Sequence, residues 1–222
     1  MGSHNYASEN TSYIFIACFS DKQDSLNQWT SYAHGGICLE FETKSDESIF
    51  VTENEDAPVF LKQCVYEDDE KIVAINQLFE MLIDAFGGYG KIDSKTWGNL
   101  LATTRALACR FKESGFSHES EHRNMIFLEK GGPRENEVQF RVKNGVCIPY
   151  IEKRVDLNKL RCIRVGPHPN RDLILLGIRD FEFHLENVPD HPFIGSLSQR
   201  VGKHGPKSEL KIRPSALSYR PF

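Results

Sequence analysis

The densest run of groups able to do chemistry is His118-Glu-Ser-Glu-His-Arg123, which sets two histidines, two carboxylates and a guanidinium side by side. Read as a helix, His118-Glu119-x-x-His122 is a His-Glu-x-x-His pattern. Its rings fall at i and i+4 on one face, where they can share a zinc ion while Glu119 acts as general base. The neighbourhood opposes that helix. Gly115 lies just upstream, Met125-Ile-Phe-Leu128 downstream reads as strand, and Ser120 and Glu121 are polar where a buried helix needs packing residues. No third ligand is evident. Read as an extended segment, Glu119 and Glu121 fall on one side, because side chains alternate along a strand. They can then form an ion-pair network with Arg123 and Arg141 that locks a loop onto a sheet. In that structural reading Trp29 and Tyr32 are core residues of a short helix.

The elements that must position this run can be read on either side of it. Tyr13-Ile-Phe-Ile-Ala-Cys-Phe19 has the length and β-branched, aromatic content of a strand. Ser20 and Asp21 offer helix caps, and Leu26, Trp29, Tyr32 and Ala33 recur at helical spacing before His34-Gly-Gly36. Ile37-Cys-Leu-Glu-Phe41 begins a second strand, giving a compact strand–helix–strand unit. Pro58 to Tyr66 reads as a strand after an acidic loop. Asp68 to Phe86 carries a helical stripe of Ile72, Ile75, Leu78, Phe79, Leu82, Ile83 and Phe86, expected to pack in the core. Gly87-Gly-Tyr-Gly90 is followed by Lys91-Ile92 and so fails as a phosphate-cradling loop. A second helix is predicted over 96–113. Strands are predicted at 123–128, 138–142, 146–151 and 160–165, with turns at Gly131-Gly-Pro133, Asn144-Gly145 and Gly166-Pro167. The stretch 172–186 suits helix or strand, and 209–213 suits a last strand. These elements predict one α+β domain over 1–222. It has a mixed or antiparallel sheet with helices packed on one side, a flexible 1–12 and an exposed loop at 187–207.

Composition bounds the function classes. With 40% hydrophobic and 26% charged residues the chain is ordinary globular material. No apolar run approaches the roughly 20 residues that span a bilayer, and the polar start has no signal-peptide segment. The expectation is a cytoplasmic protein, and the opening Met-Gly-Ser-His has the look of a cloning scar. The six cysteines, Cys18, Cys38, Cys64, Cys109, Cys147 and Cys162, form no Cys-x-x-Cys pair and mostly have apolar neighbours. They are expected to be small buried hydrophobes in a reducing compartment. The net charge of −4 hides a polarity: residues 151–222 hold 13 Lys and Arg against 8 Asp and Glu. That surplus suits an anionic ligand but is too mild to signal nucleic acid.

Several segments resemble, in order, a bacterial family known as domain of unknown function 2971. The first is Cys18-Phe-Ser-x-x-x-Asp24-Ser-Leu-x-Gln-Trp29-x-x-Tyr32-Ala, leading through Gly36 to Glu40-Phe41. Phe111-Lys and Gly115-Phe-x-x-Glu119-x-Glu121-x-Arg123 follow, then Phe140-Arg141, Pro149-Tyr150, Val165-Gly-Pro167 and a closing Ser218-Tyr-Arg220. The resemblance runs from Cys18 to Arg220 and places Glu119, Glu121 and Arg123 at matching positions, not the histidines. Family members usually carry a further segment before the Cys-Phe-Ser strand. Here 17 residues precede Cys18 and none matches, which points to a truncated form or to a segment that can be dispensed with.

Glu-x-Glu just before a strand also resembles the catalytic loop of many ADP-ribosyltransferases. That likeness implies a site handling NAD as substrate. One of Glu121 and Glu119 would bind the nicotinamide ribose and stabilise oxocarbenium charge, and the other would orient the acceptor. Arg123, Arg141 and Arg220 would fork onto the pyrophosphate, Trp29 or Tyr32 would stack on a ring, and Ser20 would lie beside them. On this reading the chain is a defence or toxin-type effector. The alternative is a non-enzymatic sensor or interaction domain with a protein partner or a second copy of itself, and zinc hydrolysis through His118 and His122 is the remote third. The residues leave open whether it is an enzyme at all.

Overall fold

The computed structural model describes residues 12–33, 36–44, 47–51, 61–86, 94–187 and 210–217. Strands and helices are both well represented, so the α+β class holds. In chain order the elements are β1 (Ser12–Ser20), α1 (Leu26–Gln28, continued by a wider turn over Trp29–Ala33), β2 (Ile37–Phe41), β3 (Leu61–Gln63), α2 (Asp68–Phe86), α3 (Ser94–Ala108), β4 (Glu121–Glu129), β5 (Gln139–Lys143), β6 (Val146–Tyr150), β7 (Leu160–Val165), α4 (Arg171–Asn187) and β8 (Lys211–Pro214). The expectations for 87–90, most of 1–12 and 187–207, and Arg220 fall outside the described residues. Two compact units form, and the chain passes between them repeatedly. One takes β1, α2, α3 and β3 to β6; the other takes α1, β2, β7, α4 and β8.

In the first unit β4 is the middle strand, with β1 and β3 as neighbours. The β3–β4 pairing is antiparallel and sets Lys62 opposite Arg123. Asn124, Met125, Ile126 and Leu128 are all buried, so β4 is covered on both faces, as a near-continuous apolar strand requires. Asp68, Asp69 and Glu70 fill the first turn of α2, where carboxylates suit the positive end of the helix dipole. The stripe on α2 is narrower than expected. Ile75, Leu78 and Leu82 are half-buried, whereas Ile72, Phe79 and Ile83 stay exposed. Among the described residues α3 packs against α2. β5 and β6 form a separate two-stranded hairpin turned by Asn144 and Gly145. Both turn residues have positive φ, 53° and 77°, which is the tight two-residue turn that Asn-Gly signals.

In the second unit β7 lies between β2, antiparallel, and β8, parallel. The parallel pair needs a long crossover, and α4 lies within it, packed on both strands. This settles 172–186 as helix. The early strand–helix–strand unit does not form one sheet: β1 pairs with β4, while β2 pairs with β7. Local spacing fixed both strands correctly but could not choose their partners.

Asp24 ties the second unit together. It adopts a left-handed conformation, φ 56°, which aspartate tolerates better than most residues. Its Oδ1 accepts the indole N–H of Trp29 at 2.8 Å and the hydroxyl of Ser215, and its Oδ2 accepts the amide of Ala216 at 2.6 Å. Burial resists the charge on Asp24, but Ser215, Trp29, the Ala216 amide and Arg164 together hold its carboxyl below the usual range. Arg164 also pairs with Glu40, its diagonal neighbour across the β2–β7 ladder. Helix α1 is therefore not capped by Ser20 or Asp21. Its N-cap is Ser25, and the Ser20 hydroxyl accepts the amide of Lys22 instead. Replacing Asp24 by alanine is expected to cost about 3–5 kcal/mol in urea unfolding. Asp24→Asn, which keeps an acceptor and tolerates positive φ, should cost about half as much.

Candidate functional site

The site grows from a sharp change of direction. A tight 3-10 turn over Ser114–Glu119 ends at Ser120, whose backbone is left-handed at φ 44°, ψ 52°. β4 starts at the next residue. Glu119 and Glu121 therefore flank a kink, and their convergence is not the period-two alternation of an extended segment. What they converge on is Lys112, whose ammonium bonds Oε2 of both. Lys112 is held by its own backbone: its amide donates to Val65 O at 3.1 Å, and Val65 N–H donates to Arg110 O at 2.9 Å. The ammonium also lies 5.0 Å from the centre of the Phe116 ring, within cation–π reach.

Glu121 is the most heavily engaged member. Only 5% of the residue is exposed. Arg123 Nε donates to its Oε1 at 2.6 Å and Lys112 takes its Oε2, while the Cys18 thiol favours the charged form of the same carboxylate. Its backbone is fixed as well, with Glu121 N–H on Tyr66 Oη at 2.7 Å and Cys64 N–H on Glu121 O at 2.8 Å. Burial works against the charge, yet Arg123, Cys18 and Lys112 outweigh it and hold the carboxyl at about 2. Glu119 and Glu121 push Lys112 above the ordinary lysine range despite its desolvation. Arg123 runs on to Cys109 O at 2.6 Å, which ties β4 to the end of α3. Two cations and two carboxylates thus balance in a partly buried cluster, and their geometry satisfies the condition under which buried ions are tolerated.

Of the residues singled out in the sequence, the structure brings together Glu119, Glu121 and Arg123. Arg141 lies on the hairpin, its guanidinium 5.5 Å from the centre of the Tyr150 ring. The expected Arg141 contribution to the Glu119–Glu121 network is not among the contacts of that network. Trp29 is a core residue, as expected, with its indole given to Asp24. Tyr32, also expected in the core, is 65% exposed, because the wider turn after α1 shifts it off the buried face. The zinc helix does not form. His118 sits on the 3-10 turn with its Nδ1 at Gly115 O, His122 sits on β4, and the left-handed Ser120 between them breaks the i, i+4 register. Among the described residues no group of three metal-binding side chains comes together.

Sequence reasoning missed Lys112, Cys18 and Tyr66 as partners of the carboxylates. Lys112 sat in the quoted Phe111-Lys pair, but nothing local says which acid it meets. All six cysteines are free thiols. Cys64 and Cys162 are buried as expected, but Cys18 and Cys147 are exposed. No helix among the described residues is long and apolar enough to cross a membrane.

The family described as "Protein of unknown function (DUF2971)" matches residues 28–124. That match covers 97 of the 222 residues. The DUF2971 match contains Trp29, Lys112, Glu119, Glu121 and Arg123, and so holds the whole ionic cluster apart from Cys18. No curated protein and no solved structure matches the chain.

Since Glu121 sits at about 2 when folded against 4.5 ordinarily, its pairing stabilises the chain fully above pH 4.5 and is lost as pH falls toward 2. The contribution is on the order of 3 kcal/mol at neutral pH. The stability gap between wild type and Glu121→Gln should therefore close across that window in acid titrations. Burial, the hydrogen bond to Glu121 and the charge of that carboxylate push the Cys18 thiol up to about 11. Cys18 should resist iodoacetamide at pH 8 although the residue is exposed, and Glu121→Gln should speed its alkylation.

Proposed function

We propose that this chain is a protein-interaction module in which the Lys112–Glu119–Glu121–Arg123 cluster is architectural. One observation carries the reading: both oxygens of Glu121 are already taken, by Arg123 and Lys112, and the residue is almost wholly buried. A carboxylate that must bind a ribose hydroxyl and stabilise developing positive charge needs an unspent, accessible lone pair. Here the carboxylate is closed off by its burial and by two cations, so a substrate would have to open the cluster to reach it.

The second reading is NAD or nucleotide handling by the same residues, as an effector of defence or toxin type. It is supported by two carboxylates meeting at one ammonium with a guanidinium beside them, a set of charges able to order a nucleotide once opened. The two readings separate in one assay. Purified chain is incubated with NAD, and nicotinamide release is followed beside Glu121→Gln. The interaction reading expects no release from either protein, with Glu121→Gln melting at a lower temperature. Release by wild type that disappears in a folded Glu121→Gln variant would replace it with the nucleotide reading.

A further inference from the structure

The β5–β6 hairpin stands apart from the ionic cluster and has an unusual surface. All five residues of β5 are exposed. The register pairs Phe140 with Pro149 and Val142 with Cys147, so one face is entirely apolar. Phe140 is 60% and Val142 75% exposed there. The other face carries Gln139, Arg141 and Lys143, with the Tyr150 hydroxyl donated to Gln139 at 2.8 Å and Arg141 stacked over the Tyr150 ring. No acidic residue occurs between 139 and 150.

An isolated two-stranded hairpin is marginal in water, and this one is pinned at its base. Glu137, two residues before β5, takes two bonds from Arg134, at 2.6 and 3.2 Å, and one from Lys153, three residues after β6, at 2.5 Å. The clamp ties the two ends of the hairpin together at its base.

The two edges of the arm differ. In a two-residue hairpin the pair flanking the turn, Lys143 and Val146, is hydrogen-bonded, and bonded and non-bonded pairs alternate from there. Arg141 and Gln139 therefore spend their backbone groups inside the hairpin, while Phe140 and Val142 direct theirs outward. On β6 the outward positions are Cys147 and Pro149. Pro149 has no N–H to offer, which blunts that edge. The β5 edge has no such guard, and among the described residues no strand pairs with it.

We propose that the outer edge of β5 is a docking strand for an extended acidic peptide whose apolar and acidic side chains alternate. The proposal rests on the interaction reading and gives it a surface and a partner chemistry. Main-chain bonds to Phe140 and Val142 supply the pairing. Apolar side chains of the added strand lie beside Phe140 and Val142, and its carboxylates lie beside Arg141 and Lys143 on the opposite face. A second copy is a poorer occupant, because pairing over the whole of β5 sets Arg141 against Arg141.

The test uses the full chain and a fluorescent, end-capped heptapeptide of alternating Val and Glu. Saturable binding is expected. It should be lost when one set of alternate peptide amides is N-methylated and kept when the other set is. It should also weaken by about tenfold in Arg141→Glu/Lys143→Glu, with the hairpin's fold checked by its cross-strand NMR contacts. No binding, equal binding of both N-methylated peptides, or equal binding of a Val-Lys peptide would overturn the proposal. So would preferential binding of a single-stranded oligonucleotide, or a concentration-dependent dimer dissolved by Phe140→Asp. Failure here is distinct from failure of the interaction reading, which nicotinamide release decides without involving the hairpin.

Discussion

The Lys112 ammonium between Glu119 and Glu121 is the contact on which the first unit depends. Taking an ammonium and two carboxylates out of water is costly, and the return is large only when every charge is answered in place. Arg123 completes the balance, and its reach to Cys109 O carries the constraint from β4 into α3. Tyr66 and Cys64 hold the backbone of Glu121 from the β3 side. One cluster thus fixes the direction change at Ser120, the start of the middle strand and the end of a helix. On the interaction reading proposed above, the same saturation makes it a fastener and not a catalytic centre.

The second unit uses a smaller version of the same principle. A single carboxylate, Asp24, gathers an indole, a hydroxyl, an amide and a guanidinium that lie far apart in the chain. Ser215 and Trp29 are buried around it. The left-handed backbone of Asp24 is tolerable because the carboxylate's bonds repay its strain. In both units, then, an acidic side chain at a backbone kink organises more distant elements. The spacing Asp24-x-x-x-x-Trp29 is the local half of the second device, and Ser215 and Arg164 are its distant half.

The hairpin contrasts with both. Its ion pairs are concentrated at the base, in the half-buried Arg134–Glu137–Lys153 clamp. Beyond the base it exposes apolar and basic side chains with no acid to answer them. A surface left unanswered among the described residues is where an interaction module would meet something else.

Much of this protein was determined by its sequence alone. β-branched runs, Asn144-Gly145 and the helical spacing of 68–86 place strands, turn and helix where the structure has them, because these preferences act over a few residues. The grouping of Glu119, Glu121 and Arg123 was likewise visible, since they are neighbours in the chain. Tertiary structure decided the rest. It sent β1 to β4 and β2 to β7, because a strand's pattern specifies a buried face but not the partner that buries it. It moved Tyr32 into solvent and kept Trp29 in the core, a difference made by one wider turn. It also brought Lys112 and Cys18 to Glu121, giving a stretch with catalytic residue types its partners from elsewhere in the chain. Charge pairing at a distance depends on which chain segments meet, and no local spacing encodes that.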